Sequence, residues 1–96
     1  MPPVARRYDP GITHCSGYTM ATASNNVFVN DRGAVRVGDS STSHQRPGGK
    51  NCVPHVSQVA SGSATVFVND RPIARKGDPL TACTQIAQGS GDVSAG

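Results

Sequence analysis

The strongest pattern along the chain is a short apolar alternation that occurs twice. Residues 27–39 read VFVNDRGAVRVGD and residues 66–78 read VFVNDRPIARKGD, so Val27-Phe28-Val29-Asn30-Asp31-Arg32 recurs identically at Val66-Phe67-Val68-Asn69-Asp70-Arg71, 39 residues later. β-branched and aromatic residues suit a strand, and Asn-Asp supplies residues that tolerate positive φ in a two-residue turn. Each copy therefore predicts a β-hairpin, with return strands over residues 32–37 and 71–76. Pro72 lacks an amide donor, which places the second return strand at an edge or on a bulge. Gly38-Asp39 and Gly77-Asp78 end the two units. No segment has the period of a stable amphipathic helix; the best candidate, residues 81–88, is short and carries the β-branched Ile86. The expected fold is all-β with long loops.

Fragments of further units lie at both ends. Small polar leads precede the hairpins at residues 23–26 and 62–65, and a third lead, residues 89–92, precedes Val93. Arg7-Tyr8-Asp9 matches the unit ends without a visible beginning. The chain thus reads as about three units cut out of phase, in a single domain over residues 1–96.

Composition changes this picture by removing the usual source of stability. Only 35% of the chain is hydrophobic and 4% aromatic, and eleven Gly and seven Pro are spread along it. A domain of this size buries only about 60 to 65% of its unfolded surface, so a staple or a partner is expected. Three Cys and three His are the candidates. The N-terminus has no apolar stretch of signal-peptide length, and no window approaches a membrane span, so cytosolic synthesis is expected. An odd number of Cys in a reducing compartment, interspersed with His, favours metal over a disulfide framework. The net charge of +3 and pI of about 9.1 suit nucleic acid in principle. Arg6-Arg7 and Arg75-Lys76 are the only basic doublets, however, so no basic stripe is visible and the charge reads as solvation.

The repeat also places candidate ligands. Five residues beyond each unit-ending Asp stand His14, His44 and Cys83. A structural repeat that delivers a ligating side chain at one phase brings these side chains together when the units pack about an axis. Zn²⁺ takes four N or S ligands in a structural site, and His55 is the remaining His. Cys52, three residues before His55, is the competitor for the fourth place and otherwise packs in its loop. Cys15 reads as a small buried apolar side chain.

Together the Asp-x4-His/Cys slots, the repeated V-x-V-N hairpins and Pro72-Ile73-Ala74-Arg75-Lys76-Gly77-Asp78 resemble the PAAR-repeat family. Gly33-Ala34-Val35-Arg36 is the looser first copy, and Pro54-His55, Gly62-Ser63 and Gly89-Ser90 are further points of similarity, over a span from about Tyr8 to the C-terminus. Asn-Asp stands where the family has Asn-Gly, and Tyr8-Asp9 where it has Gly-Asp. The resemblance implies a small conical fold of short hairpins with pseudo-three-fold repeats, its loops tied by a metal at the apex. It implies one structural zinc ion held by His14, His44, His55 and Cys83. It further implies a cap on the trimeric β-helical spike of a phage baseplate or type VI secretion machine, one copy per trimer, that meets the target membrane mechanically. Neither a stable homo-oligomer nor nucleic-acid binding is then expected. With about seven residues before the repeats, no appended toxin domain is expected either. Four protein ligands leave no open position for substrate, so no enzymatic site is expected. A zinc-dependent nucleic-acid or protein-binding module is the alternative, weakened by the lack of a Cys-x2-Cys knuckle, a recognition helix and aromatic platforms.

Overall fold

The hairpins form where the repeat places them. In the computed structural model of the chain, which describes residues 1–13, 15–48, 51–81 and 83–96, β1 (Phe28–Val29) pairs with β2 (Arg32–Gly33), and β5 (Phe67–Val68) with β6 (Arg71–Pro72), both antiparallel. Asn30 and Asp31 have φ of 52° and 65°, and Asn69 and Asp70 repeat these values. Two consecutive positive angles make a type I′ turn, the kind whose twist matches a two-residue hairpin. A longer antiparallel pair, β3 (His44–Gly48) with β4 (Asn51–His55), lies between the two copies. Among the described residues there is no helix, so none is long and apolar enough to cross a membrane.

The return strands are shorter than the alternation predicts. Each ladder stops after two residue pairs instead of running on to Val37 or Lys76. Ala34 and Ile73 still bond within their own units, and with Val35 and Ala74 the backbone amides begin to bond to neighbouring units. The Ala5 amide donates to the Ala74 carbonyl at 2.9 Å, Ala74 to Val35 at 2.8 Å, and Val35 back to Ala5 at 3.1 Å. A second closed ring runs from Arg7 to Gly33 (2.8 Å), Val37 to Pro72 (2.9 Å) and Lys76 to Pro3 (2.8 Å). A lone two-stranded hairpin is marginal in water, and these rings satisfy the donors it leaves over while gathering three units about one axis. Pro72 costs the ring nothing, because there it supplies only a carbonyl.

The third unit is made from both ends of the chain. Pro3-Val4-Ala5-Arg6 takes the place that Gly33-Ala34-Val35-Arg36 and Pro72-Ile73-Ala74-Arg75 hold in the other two. The Val4 amide donates to Val93 O at 2.9 Å, as Ala34 does to Val27 O (3.0 Å) and Ile73 to Val66 O (3.0 Å), and Ser94 pairs with Pro3. The first residues are therefore part of the repeat and not a segment preceding it. The leads are equivalent too. Ser24, Ser63 and Ser90 each accept, through the side-chain oxygen, the amides two and three residues on, at 2.9 to 3.3 Å.

Apolar side chains follow the same symmetry. One cluster holds Val29, Val68 and Ala95 with Val4, Ala34 and Ile73, two sets of three equivalent positions. The next holds Ala5, Val35 and Ala74, all fully buried, with Tyr18, Met20, Val59, Leu80 and Ile86. Around this small core run three ion-paired turns. The Arg6 amide and Nε donate to Asp9 Oδ2 at 2.8 and 2.9 Å, and Nη2 to Oδ1 at 2.9 Å. Arg36 with Asp39 and Arg75 with Asp78 repeat the arrangement at 2.7 to 3.0 Å. Arg32 and Arg71 add a second guanidinium to Asp9 and Asp39. Each turn also closes an Asp amide on the Arg carbonyl at 3.0 Å, with positive φ at the third residue: Tyr8 76°, Gly38 91°, Gly77 90°. That geometry is a type II turn, for which Gly is the natural residue. Tyr8 adopts it regardless, with the Arg7 guanidinium 5.0 Å over its ring.

Candidate metal centre

The three ion-paired turns launch the loops that carry the candidate ligands. The chain leaves Asp39, Ser41 pairs with Met20, and His44 opens β3 with its imidazole buried. His55 closes β4 directly opposite His44 in the register, so one hairpin base presents both rings. Cys83 follows Asp78 through a turn in which its amide donates to Leu80 O at 3.2 Å. His44 Nε2 lies 2.8 Å from His55 Nε2 and 3.3 Å from Cys83 Sγ, and Cys83 Sγ lies 3.5 Å from His55 Nε2. Tetrahedral zinc with Zn–N of about 2.0–2.1 Å and Zn–S of about 2.3 Å separates its ligand atoms by roughly 3.3 Å (N to N) and 3.6 Å (N to S). The triangle is close to that size, tightest between the two imidazoles.

The protonation pattern suits the same purpose. His44 Nδ1 sits 2.9 Å from the Thr42 carbonyl. A carbonyl only accepts, so Nδ1 carries a proton, and in the neutral ring that a metal requires the Nε2 lone pair faces His55 and Cys83. His55 Nδ1 is 3.4 Å from the Ser57 hydroxyl. Partners of this kind, on the outer nitrogen, fix ring orientation in metal sites. The three donor atoms all lie within 4.8 Å of one another, and a set of two imidazoles and a thiol fits a borderline-soft cation better than magnesium or calcium.

Tyr18 braces the cluster from the core side. Its ring stacks on His44 with centroids 4.1 Å apart and planes at 19°. Its hydroxyl shares a 2.8 Å hydrogen bond with Thr84 Oγ1, next to Cys83, and Thr84 in turn donates to Ile12 O at 2.6 Å. One side chain thus links the loops of His44 and Cys83. Burial pushes the Tyr18 phenol up to about 12, against the Thr84 bond that lowers it, and Cys83 nearby adds to the rise. Gly11 makes room for the ring: a Cβ there would fall 1.9 Å from Tyr18 Cζ. The sequence reading did not single out Tyr18, since one Tyr in a polar loop carries no pattern.

Of the four ligands expected from the repeat and the resemblance, the structure brings together His44, His55 and Cys83. His14 lies outside the described residues, although Thr13 and Cys15 beside it are within them. The expectation for the other two cysteines is corrected. Cys15 and Cys52 form a disulfide, with Cα atoms 6.0 Å apart. Cys15 is only half-buried, and Cys52 is exposed on β4 rather than competing for the cluster. An odd count of three is compatible with both chemistries: once Cys83 occupies the repeat slot, the remaining two are an even pair. That subtraction was the available signal.

The family model described as PAAR motif matches residues 51–96, nearly half of the chain. No curated protein matches. The matched stretch contains His55, the second hairpin, the Pro72-Ile73-Ala74-Arg75 turn with Asp78, Cys83 and the third lead. By that match and by the triplicated Arg–Asp turns on which its candidate ligands stand, residues 51–96 carry a PAAR motif, and the chain is consistent with a PAAR-repeat protein.

Proposed function

We propose that residues 1–96 form one PAAR-like unit that caps a trimeric β-helical spike and gives it a zinc-stiffened point for piercing a target envelope. The PAAR motif supports a spike-tip type of structural role in contractile injection systems, with a spike as partner. The observation that carries the finer reading is the closed ring of backbone hydrogen bonds through Ala5, Val35 and Ala74. It makes a single chain nearly three-fold symmetric, which is what a monomer needs to meet three identical chains at once. The hairpin end of that axis also carries uncovered apolar side chains at equivalent positions: Phe28 is 60% exposed and Phe67 56%, with Val27, Val66 and Val93 partly exposed beside them. Full burial from full exposure contributes about 1.5–3 kcal/mol per side chain, so covering these half-exposed ones contributes roughly half of that each.

At the other end, His14, His44, His55 and Cys83 would hold the ion. Its contribution is a crosslink among loops that have little apolar packing of their own. Structural zinc supplies on the order of 10 kcal/mol in small metal-folded peptides. Native mass spectrometry with the cognate spike tests the reading. One chain per spike trimer, each carrying one zinc, is the expected mass. Three chains per trimer, or a metal-loaded chain that ignores the spike, overturns the cap and favours a zinc-dependent binding module.

A further inference from the structure

Two segments bear the apex. Loop residues 12–17 contain His14, and the β3–β4 hairpin ends in His44 and His55. Two attachments between them involve described residues on both sides. The Gln45 amide donates to Ser16 Oγ at 2.9 Å, and the Cys15–Cys52 bond crosses between them. Among its described residues, Ile12 also ties the loop, its amide donating to Gln85 O and its carbonyl accepting from Thr84. Most of the hairpin is exposed, Gln45, Arg46, Pro47, Asn51, Cys52 and Pro54 among its residues. Neither segment contributes to the apolar clusters beyond the Tyr18–His44 stack. Segments with so little burial open locally at low free energy unless something ties them.

We propose that Cys15 and Cys52 form a redox-controlled lock on the metal apex: reduced, they leave the loops free to take up and release the ion, and oxidised, they trap it. The inference rests on the metal reading above. The pair lies next to ligands on both sides, since Cys15 adjoins His14 and Cys52 is three residues from His55. Exposure of Cys52 leaves the bond open to exchange with thiols in solution, which is the behaviour of a responsive disulfide rather than a buried structural one. Closing it with oxidised glutathione balances simply. One protein thiolate displaces a glutathione thiol to give the mixed disulfide, the second displaces the other, and two glutathione thiols leave with the two protons. Cys83 competes less when the ion is bound, because coordination draws on the lone pair that would attack the disulfide. Metal uptake before oxidation therefore directs the pairing to Cys15 and Cys52.

The test compares zinc release to excess EDTA from the full chain after glutathione-disulfide oxidation and after reduction, with thiols counted in denaturant. Oxidised protein should show one thiol and reduced protein three, and oxidation should slow zinc release at least about 10-fold. A Cys15→Ser, Cys52→Ser variant keeps all four proposed ligands and should release zinc at the reduced rate under both conditions. Equal release rates, or three thiols after oxidation, overturn the lock. Should the chain bind no zinc, the metal reading fails on its own, and hydrogen exchange then decides the lock. Slower exchange over residues 44–55 in the oxidised chain supports redox control of the loops without an ion to trap, and unchanged exchange overturns that too.

Discussion

The two ends of this molecule solve the same shortage of apolar side chains in opposite ways. At the hairpin end the solution is repetition. Three equivalent turns, three Ser-capped leads and two rings of backbone hydrogen bonds satisfy the polar groups, and among the described residues no buried side-chain N or O lacks a partner. At the apex the units diverge: a β3–β4 hairpin grows from one, short turns from the others, and symmetry gives way to crosslinks. There a disulfide, a stacked Tyr and a cluster of donor atoms do what packing does elsewhere. Regularity organises the base; chemistry organises the tip.

The comparison predicts unequal damage. Asp39 accepts from Arg36, Arg71 and Thr22 while itself buried, so Asp39→Ala strips the largely buried Arg36 guanidinium of its carboxylate, while the more exposed Arg71 can turn to water. Breaking a buried pair from one side costs about 3–5 kcal/mol, a large part of the stability of so small a domain. The expected outcome is loss of cooperative thermal unfolding, or a melting point lowered by well over 10 °C by circular dichroism. A fall of only a few degrees would mean that the other two turns carry the base without this one.

Apex substitutions should spare the base. His55→Ala is expected to lose stoichiometric zinc by elemental analysis and to speed hydrogen exchange in β3 and β4, while the amides of Ala5, Val35 and Ala74 stay protected. Cys52→Ser should retain one zinc per chain at equilibrium, although it releases the ion faster. If His55→Ala also exposes the central ring, base and tip are one cooperative unit and the contrast between them fails. If Cys52→Ser loses the ion outright, the fourth ligand must be reassigned.

What was legible in the sequence divides along the same line. The hairpins and their turns follow from Val-Phe-Val and Asn-Asp, because local propensity and local pairing there agree. The slot five residues after each Asp led to His44 and Cys83, because a repeat preserves phase. His55 was reached by elimination and by the resemblance, and its position opposite His44 in a hairpin register was not foreseen. The expected return strands are too long because alternation continues past Gly33 and Pro72, while from Val35 and Ala74 the backbone bonds to other units, a choice set by tertiary packing. Residues 3–6 went unrecognised as a repeat because their strand partner, residues 93–96, lies at the far end of the chain. The disulfide was discounted on a count of cysteines, which fixes parity and says nothing of proximity.

The mildest test asks whether strain at the base travels to the tip. Gly77 holds a φ of 90° in the third Arg–Asp turn, and a Cβ there meets nothing within 4 Å, so Gly77→Ala imposes backbone strain with no clash. Left-handed φ costs a non-glycine residue roughly 1–2 kcal/mol, offset in part by the lower entropy of the unfolded chain. A net loss of about 1 kcal/mol lowers the melting point by about 4–8 °C in a domain of this size. Gly38→Ala should cost more, since its Cβ would lie 3.1 Å from Arg71 Nη1 and disturb the second guanidinium on Asp39. Tyr8 shows that the fold tolerates such a residue at one of the three sites. The chain runs from Gly77 through Asp78 to Cys83 in six residues, yet the Arg75–Asp78 pair should absorb the strain, because its bidentate geometry over-determines the turn. Zinc release from Gly77→Ala is therefore expected to match the parent chain even as its melting point falls. Faster release at unchanged ligand composition would show that the tip reads the geometry of the base, and the division between repeat and crosslink would have to be redrawn at Cys83.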